Sequence, residues 1–447
     1  MKKILSLLLS VVIMCSSFGL FASAENKQYN KGDIIEFGSY PQTEVKNELL
    51  LKKLNSLELK WTSYRYYSKE EIDFSYDSRG ETYYLSSIAM PHDFMKYADV
   101  ELDGEKYRAV TFNKYRPVFT QDEATAETDK LNSCQLLNGY TINRTYWFKY
   151  EPLKWRILDP DKGLVLCETI IDGQPFNNVS WCASGCQVTS FTLFTDTEMD
   201  NYAWLYSTSS IRSWLNNDFY HTAFSNLQKN NIKDTELENK SYEKIVAEAK
   251  DDIKQLEEIK KRPYYEDENC IDKVYLLSYA DLMNEDYGLE IQDMFEIIGR
   301  GEDSFQGLNL NNNNCPSTSD YSKCQGTLLT SSVLESAINE SNFDKEEIGK
   351  EMGLTSDDWD FIFENGVSPW MTRTGVSYYG SSVHGGWYVA DISYDGISGV
   401  RPAMTLQSFD FSDSKPDEPE KKSFIDTVLE FLNNIIEFFR KLFTFDF

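Results

Sequence analysis

The alternation of hydrophobic and polar positions predicts several short strands and two hairpins. Residues 100–112 alternate on either side of Asp103-Gly104, a pair suited to a tight turn between antiparallel strands. Residues 146–167 predict a second set of strands, with a turn at residues 160–163. A continuous apolar run at residues 273–278 predicts a strand that is buried on both faces.

Apolar residues spaced three and four apart predict helices over residues 47–57, 207–224 and 242–261. Thr355 and Asp358 have the spacing of a capping box, which indicates the start of another helix. Strands and helices mix without a regular strand–helix alternation. The pattern therefore predicts the α+β class.

The stretch 368–406 predicts a closing meander with strands at residues 370–373, 387–393 and 400–406. Between the first two strands, a long loop at residues 374–386 is rich in Gly, Ser and Tyr. Aromatic side chains on such a loop can stack on a ligand and donate hydrogen bonds to it. The ligand-binding residues predicted on this basis are Tyr378, Tyr379, His384 and Trp387. The same aromatic residues would also fit an ordinary sheet core.

The first 24 residues have the pattern of a secretory signal peptide. They contain a basic start, an apolar stretch and a small-residue cleavage site, at residues 2–3, 4–14 and 22–24. We therefore expect an exported protein, secreted or associated with the cell surface. The main domain is predicted to span residues 29–407.

Residues 412–422 form a charged, proline-containing linker, and residues 423–447 predict an amphipathic helix with one wide apolar face. Charged and amide side chains interrupt the helix too often for a membrane-spanning segment. Three uses of this tail remain open: docking on the main domain, self-association, and attachment to an envelope surface. A linker followed by a phenylalanine-rich face favours the last two.

The chain has 72 acidic and 44 basic residues and a formal net charge of −28. Nucleic-acid binding requires a basic surface, so it is not expected. The sequence contains no phosphate-binding glycine loop, nucleophile elbow or zinc-protease motif. Calcium could bind oxygen ligands at Asn216-Asn217-Asp218 or at Asp391 and Asp395, but helix-surface and turn roles account for these residues. We predict no cofactor.

Two pairs of cysteines are close enough in sequence to form local disulfides in an exported protein: Cys182 with Cys186, and Cys315 with Cys324. The alternative is that these residues are buried thiols. Three histidines in the whole chain leave no cluster that could complete a zinc site. Arg373 and Arg401 are predicted to be buried structural arginines that pair with carboxylates or carbonyls.

An ordered set of short blocks carries a resemblance to a known family; the blocks lie at residues 34–42, 147–159, 210–216, 272–278, 320–326 and 399–403. They resemble an uncharacterised bacterial extracellular domain of unknown function over residues 29–406. The W-x-x-R-T-G strand at residues 370–375, followed by Gly-Val-Arg-Pro-Ala, is also similar to C-type-lectin-like folds, including formylglycine-generating enzymes. This resemblance implies a C-type-lectin-like mixed sheet with helices and insertions.

The enzyme branch of that fold uses a cysteine pair near its closing strands, whereas no cysteine follows Cys324. The expected function is therefore a non-enzymatic binding module for an extracellular glycan or protein ligand. The alternative is a formylglycine-type oxidase or a hydrolase on the same fold.

Overall fold

The computed structural model describes most of the region between residues 28 and 411. The described residues are 28–64, 74–75, 82–83, 95–113, 115, 134–176, 205–207, 209–260, 267–289, 291–293, 314–332, 334–335, 355–376, 379–384, 388–392 and 397–411. The predicted signal peptide, linker and tail lie outside them. No helix within these ranges is long and apolar enough to cross a membrane.

The strands follow one another along the chain as β1 (Ile34–Glu44), β2 (Thr62–Ser63), β3 (Phe74–Ser75), β4 (Thr82–Tyr83), β5 (Met95–Leu102), β6 (Glu105–Phe112), β7 (Thr145–Asp159), β8 (Leu164–Cys167), β9 (Asp172–Pro175), β10 (Thr235–Leu237), β11 (Cys270–Asp272), β12 (Val274–Tyr275), β13 (Gln292–Asp293), β14 (Trp370–Val376), β15 (Tyr379–His384), β16 (Tyr388–Ile392), β17 (Ile397–Val400) and β18 (Ala403–Thr405).

The α-helices are α1 (Glu48–Leu54), α2 (Cys134–Leu137), α3 (Ser210–Trp214), α4 (Tyr220–Ala223), α5 (Asn226–Lys229), α6 (Tyr242–Ala249), α7 (Ile253–Ile259), α8 (Tyr279–Leu282), α9 (Asp320–Cys324) and α10 (Ser356–Asn365). A π-helical turn, Leu215–Phe219, joins α3 to α4, and a 3₁₀ turn lies at Glu285–Tyr287.

Two sheets organise the described chain. The larger sheet is antiparallel, with strand order β12-β18-β8-β7-β6-β5-β2, and β1 also pairs with β7. The second sheet has the order β13-β16-β15-β14-β17-β9 and contains two parallel pairings, β13 with β16 and β14 with β17. Helices pack around these mainly antiparallel sheets, so the predicted α+β class is confirmed.

Both predicted hairpins are present, and each turn has a local cause. Asp103 and Gly104 join β5 to β6 with φ values of 55° and 83°, the left-handed conformation that a two-residue turn requires. Between β7 and β8, the Asp159 carboxylate accepts hydrogen bonds from the N–H groups of Asp161 and Lys162. Gly163 closes this second turn with φ of 81°.

Several secondary-structure predictions differ from the structure, including the strand predicted over residues 400–406, which is divided between β17 of one sheet and β18 of the other. The helix predicted over residues 242–261 is broken into α6 and α7 at Asp251, which has φ of 51°, and Asp252 caps α7 by accepting from the N–H of Gln255. Short Asp side chains bind nearby backbone and so compete with a continuous helix. Of the apolar run 273–278, only β12 is a strand. By contrast, the predicted capping box of Thr355 and Asp358 is confirmed, and it begins the helix Ser356–Asn365.

The prediction of a long loop at residues 374–386 was also wrong. β14 continues to Val376, and β15 pairs with β14 on one side and with β16 on the other. Gly and Ser have low strand propensity, but pairing with two neighbours overrides such a weak preference. The meander therefore contains an additional strand in place of a long loop.

The main core lies between the sheets and their helices, and it contains Trp155 and Trp370, both fully buried. Arg401 is buried beside them: its Nε donates to the Cys167 carbonyl at 2.8 Å, and its guanidinium lies 5.0 Å from the Trp370 ring centre. Arg373 donates to the Leu276 carbonyl and to Asp281. The prediction of two buried structural arginines is confirmed.

Candidate functional site

A pocket of about 720 Å³ opens where β1, β2, β5, β6 and β9 meet the π-helical turn and α4. Its volume is typical of small-molecule sites. The aromatic residues that line it are Tyr40, Tyr64, Tyr97 and Trp214, and the main polar ones are Arg108, Asp172, Gln174, Asn217, Asp218, His221 and Gln325. We call it the tyrosine pocket.

An ion pair holds the floor of the tyrosine pocket. Arg108 on β6 faces Asp99 on β5, and its Nε and Nη2 donate to the two carboxylate oxygens at 2.7 and 2.8 Å. Its guanidinium lies 4.2 Å from the Tyr97 ring centre. Burial alone would raise the pKa of Asp99, but the hydrogen bonds and charge of Arg108 outweigh burial, and this pKa lies below its ordinary value.

A chain of hydroxyl groups runs from this ion pair along the pocket. Arg108 Nη1 donates to the Tyr321 hydroxyl at 3.2 Å, and this hydroxyl lies 2.8 Å from that of Tyr64. Gln325 Nε2 also donates to Tyr64, at 2.9 Å. Burial raises the pKa of Tyr64 and of Tyr321, so both phenols stay neutral at physiological pH. The hydroxyl groups are therefore held at fixed positions as neutral hydrogen-bonding groups.

Asp172, the first residue of β9, supplies a buried carboxylate. It accepts hydrogen bonds from the Tyr40 hydroxyl at 2.8 Å, from the Gly173 N–H at 2.7 Å and from Gln174 Nε2 at 3.1 Å. Gly173 is required here because a Cβ atom would lie 2.5 Å from Thr327 Oγ1. These contacts fix the carboxylate orientation before any ligand arrives.

The π-helical turn brings a third set of side chains to the pocket. Asn217, Asp218 and His221 all line it, together with Trp214 from the end of α3. A π-helical turn inserts one residue relative to an α-helix and is frequent at functional sites. Trp214 is stacked on Phe219 with ring centres 5.6 Å apart.

Asn216 explains why this turn is held in place. Its Oδ1 accepts from the N–H groups of Lys273 and Val274, at 3.0 and 3.2 Å, and its Nδ2 donates to the Val274 carbonyl at 3.0 Å. The Asn216 amide thus joins the π-helical turn to the backbone at the start of β12 by three hydrogen bonds. Two of the sequence blocks, at residues 210–216 and 272–278, contact each other through this side chain and through the ion pair of Arg212 with Asp272.

None of the four predicted ligand-binding residues is among the described residues that line the tyrosine pocket. Tyr378 and Trp387 lie outside the described residues, and Tyr379 and His384 are the first and last residues of β15, where only the backbone is described. Their role in binding stays a prediction. The sheet that contains β15 nevertheless ends in β9, which supplies Asp172 to the tyrosine pocket.

Sequence reasoning missed the tyrosine pocket, although parts of it lay in stretches that had been singled out. Tyr40 belongs to the first block, Arg108 to the predicted hairpin, and Trp214 to the predicted helix 207–224. Asn217 and Asp218 belong to the Asn216-Asn217-Asp218 stretch whose oxygen atoms could bind calcium. In the described part of the chain, no group of three His, Cys, Asp or Glu residues is arranged to hold a metal ion.

The described cysteines are buried or half-buried. Burial raises the pKa of Cys167 and that of Cys270 to about 11, so these thiols are protonated at neutral pH. Cys315 and Cys324 are both buried and are not joined to each other. The disulfide predicted between them is absent from the structure, and the predicted bridge between Cys182 and Cys186 lies outside the described residues.

One comparison with known proteins gave a match. A family model described as a domain of unknown function (DUF6273) matches residues 194–408. This region supplies Trp214, Asn217, Asp218, His221, Thr222 and Gln325 to the tyrosine pocket, and the preceding part of the chain supplies its other lining residues. No curated protein and no solved structure matches the chain. The second half of the chain is thus similar to an uncharacterised domain family.

Proposed function

We propose that this protein is an exported, non-enzymatic binding module of C-type-lectin-like character, and that the tyrosine pocket binds a glycan. The observation that carries the proposal is the combination of aromatic rings with fixed hydrogen-bonding groups in one cavity. A sugar presents C–H faces that pack on aromatic rings and hydroxyls that both donate and accept. Aromatic side chains with a polar group at one end suit such mixed contacts.

The electrostatics of the pocket support a neutral polar ligand. The charge of Arg108 is already matched by two short hydrogen bonds to Asp99. The amides of Gln174, Asn217 and Gln325 can each donate and accept, as sugar hydroxyls require. Because these groups are anchored to strands and helices, little side-chain freedom is lost when a ligand binds.

Among the cysteines that the structure describes, the state of the thiols favours binding over the oxidase alternative. A formylglycine-type oxidase needs a reactive cysteine pair, and a reactive cysteine has a lowered pKa and partial exposure. Burial instead raises the pKa of Cys134, Cys167, Cys270 and Cys315.

Replacing Asn217 with Ala tests the site of binding. We expect the affinity for a glycan identified on an array to fall about tenfold, the effect of losing one good hydrogen bond. The measurement is the Kd by titration calorimetry. The double variant Tyr378→Ala/Tyr379→Ala tests the alternative location in the same assay.

If Tyr378→Ala/Tyr379→Ala weakens binding and Asn217→Ala does not, the ligand binds near residues 378–379 and its assignment to the tyrosine pocket is wrong. If the wild-type protein binds no glycan on the array, glycan recognition itself is wrong. Thermal unfolding of each variant shows whether the fold is retained, so that a loss of affinity is not misread.

We further propose that the tail, residues 423–447, serves self-association or attachment to the cell envelope. Its wide apolar face and preceding linker support this use. Removing residues 412–447 from the mature protein is expected to lower the number of subunits per particle in sedimentation or to abolish its partition into lipid vesicles. A truncated protein with the same number of subunits and the same partition as the full mature protein would show that the tail packs on the domain.

A further inference from the structure

We propose that a second, basic pocket beside the tyrosine pocket binds a tetrahedral oxyanion, such as phosphate or sulfate. This pocket has a volume of about 450 Å³. The charged residues that line it are Lys229, Lys233, Lys273 and Asp234, three cations against one anion. The inference does not depend on glycan binding.

The local charge is opposite to that of the whole chain. With a formal net charge of −28, the protein repels anions from most of its surface. The three lysines are partly exposed, and their ammonium groups, which share one concavity, repel one another. An anion bound among them would remove this repulsion. The grouping is therefore unfavourable without a ligand and favourable with one.

Existing contacts hold the three ammonium groups without using all their donors. Lys273 Nζ lies 2.9 Å from Asp234 Oδ1, and Lys233 Nζ donates to the Lys162 carbonyl at 3.2 Å. Lys229 Nζ lies 3.1 Å from His221 Nδ1. An ammonium group has three donors, so each lysine keeps capacity for a ligand.

The backbone around the basic pocket is held by the larger sheet. The Lys233 N–H donates to the Thr405 carbonyl of β18 at 2.8 Å, and the Gln407 N–H donates to the Asn231 carbonyl at 2.8 Å. Asn216, described above, fixes the N–H of Lys273. The backbone that carries the lysines is therefore held in place, and this limits the entropy lost on binding.

The residue types favour phosphate or sulfate over carboxylate. Lysine binds phosphate as a point charge, whereas planar carboxylates are best matched by the two parallel N–H groups of arginine. The described residues that line this pocket include no arginine. The oxyanion could be a free ion or a substituent on a larger molecule. Because Lys229 contacts His221, which lines the tyrosine pocket, a phosphorylated sugar could extend from one pocket to the other.

Titration calorimetry at low ionic strength tests the site, with inorganic phosphate, sulfate and glucose 6-phosphate as probes. The variant Lys229→Gln/Lys233→Gln leaves the Lys273–Asp234 pair intact and is expected to bind phosphate at least about tenfold more weakly. The affinity of the wild type should fall as NaCl is added, because exposed charges are screened. The matched control is Lys52→Gln/Lys154→Gln, which removes two exposed lysines that line neither pocket.

Equal affinity for phosphate and glucose 6-phosphate would identify a free anion as the ligand. Tighter binding of the sugar phosphate would identify the anion as a substituent of a larger ligand. The proposal is overturned if neither phosphate nor sulfate binds, or if the control variant weakens binding as much as Lys229→Gln/Lys233→Gln. A failure of the glycan array with phosphate binding retained would affect the proposed function alone.

Discussion

Replacing Asp99 with Asn is expected to lower the free energy of unfolding by about 3 kcal/mol, the low end of the effect of leaving a buried charge without its partner, because Asp99 itself is partly exposed to water. The substitution leaves the Arg108 guanidinium, whose side chain is 5% exposed, without the carboxylate that accepts two of its hydrogen bonds. Tyr150 also loses its bond to this carboxylate, at 2.9 Å. Denaturant unfolding followed by circular dichroism at neutral pH measures the change.

The ion pair of Asp99 with Arg108 also predicts how the free energy of unfolding depends on pH. Because the folded protein holds the pKa of Asp99 below its ordinary value, the ionised carboxylate stabilises the fold fully above the unfolded value of about 4. This contribution is lost as the pH falls through the lower folded value. The difference between wild type and Asp99→Asn should therefore be constant above about pH 5 and shrink in more acidic solution.

Asp103→Asn is the matched control, because Asp103 forms an exposed ion pair with Lys53 at 3.0 Å. Exposed pairs contribute about 0–1 kcal/mol, so this variant should unfold nearly as the wild type does. Equal losses for the two variants would mean that leaving the buried Arg108 guanidinium without its carboxylate costs no more than breaking an exposed ion pair. The pocket floor would then not depend on this ion pair.

Replacing Gly163 with Ala is expected to destabilise the protein by about 2–5 kcal/mol, the sum of a left-handed backbone cost and overpacking. Its φ is 81°, and an added Cβ atom would lie 2.2 Å from the Leu406 carbonyl oxygen. This oxygen belongs to the backbone, so no rotation of a side chain can relieve the clash. Moving the backbone would break the bond from the Leu406 N–H to the Gly163 carbonyl, at 2.9 Å.

Gly104→Ala separates the two contributions. Gly104 has a similar φ of 83°, but nothing lies within 4 Å of an added Cβ atom. Only the backbone cost of about 1–2 kcal/mol applies there. The two free energies of unfolding are measured under one set of denaturant conditions. If Gly163→Ala is no worse than Gly104→Ala, residues 405–407 do not pack against the β7–β8 turn as described.

The features that sequence predicted well are those with a local cause. The Asp103-Gly104 turn, the capping box at Thr355 and the strands on either side of residues 160–163 depend on residues within a few positions of one another. The buried arginines were also predictable, because Arg373 and Arg401 lie within predicted strands of an apolar stretch. Their hydrogen-bond partners were not.

The tyrosine pocket could not be predicted because its residues meet only in three dimensions. Tyr40 and Asp172 form a hydrogen bond across 132 positions of sequence, and Gln325 and Tyr64 across 261. No spacing rule connects such residues. The π-helical turn was hidden for another reason: apolar residues of the segment repeat at ordinary helical intervals. β15 was missed because its Gly and Ser content indicated a loop, and pairing on both sides overruled this local preference.

Strands β8 and β9 each pair with a strand from the end of the domain, and this affects where a folded fragment can begin. The matched family region starts at residue 194, but β18 pairs with β8 and β17 pairs with β9, both of which precede it. A fragment covering residues 194–408 would leave β17 and β18 with open edges, and such edges invite aggregation. The matched family region and the set of paired strands therefore have different boundaries, and recombinant expression should retain the strands from β1 onward.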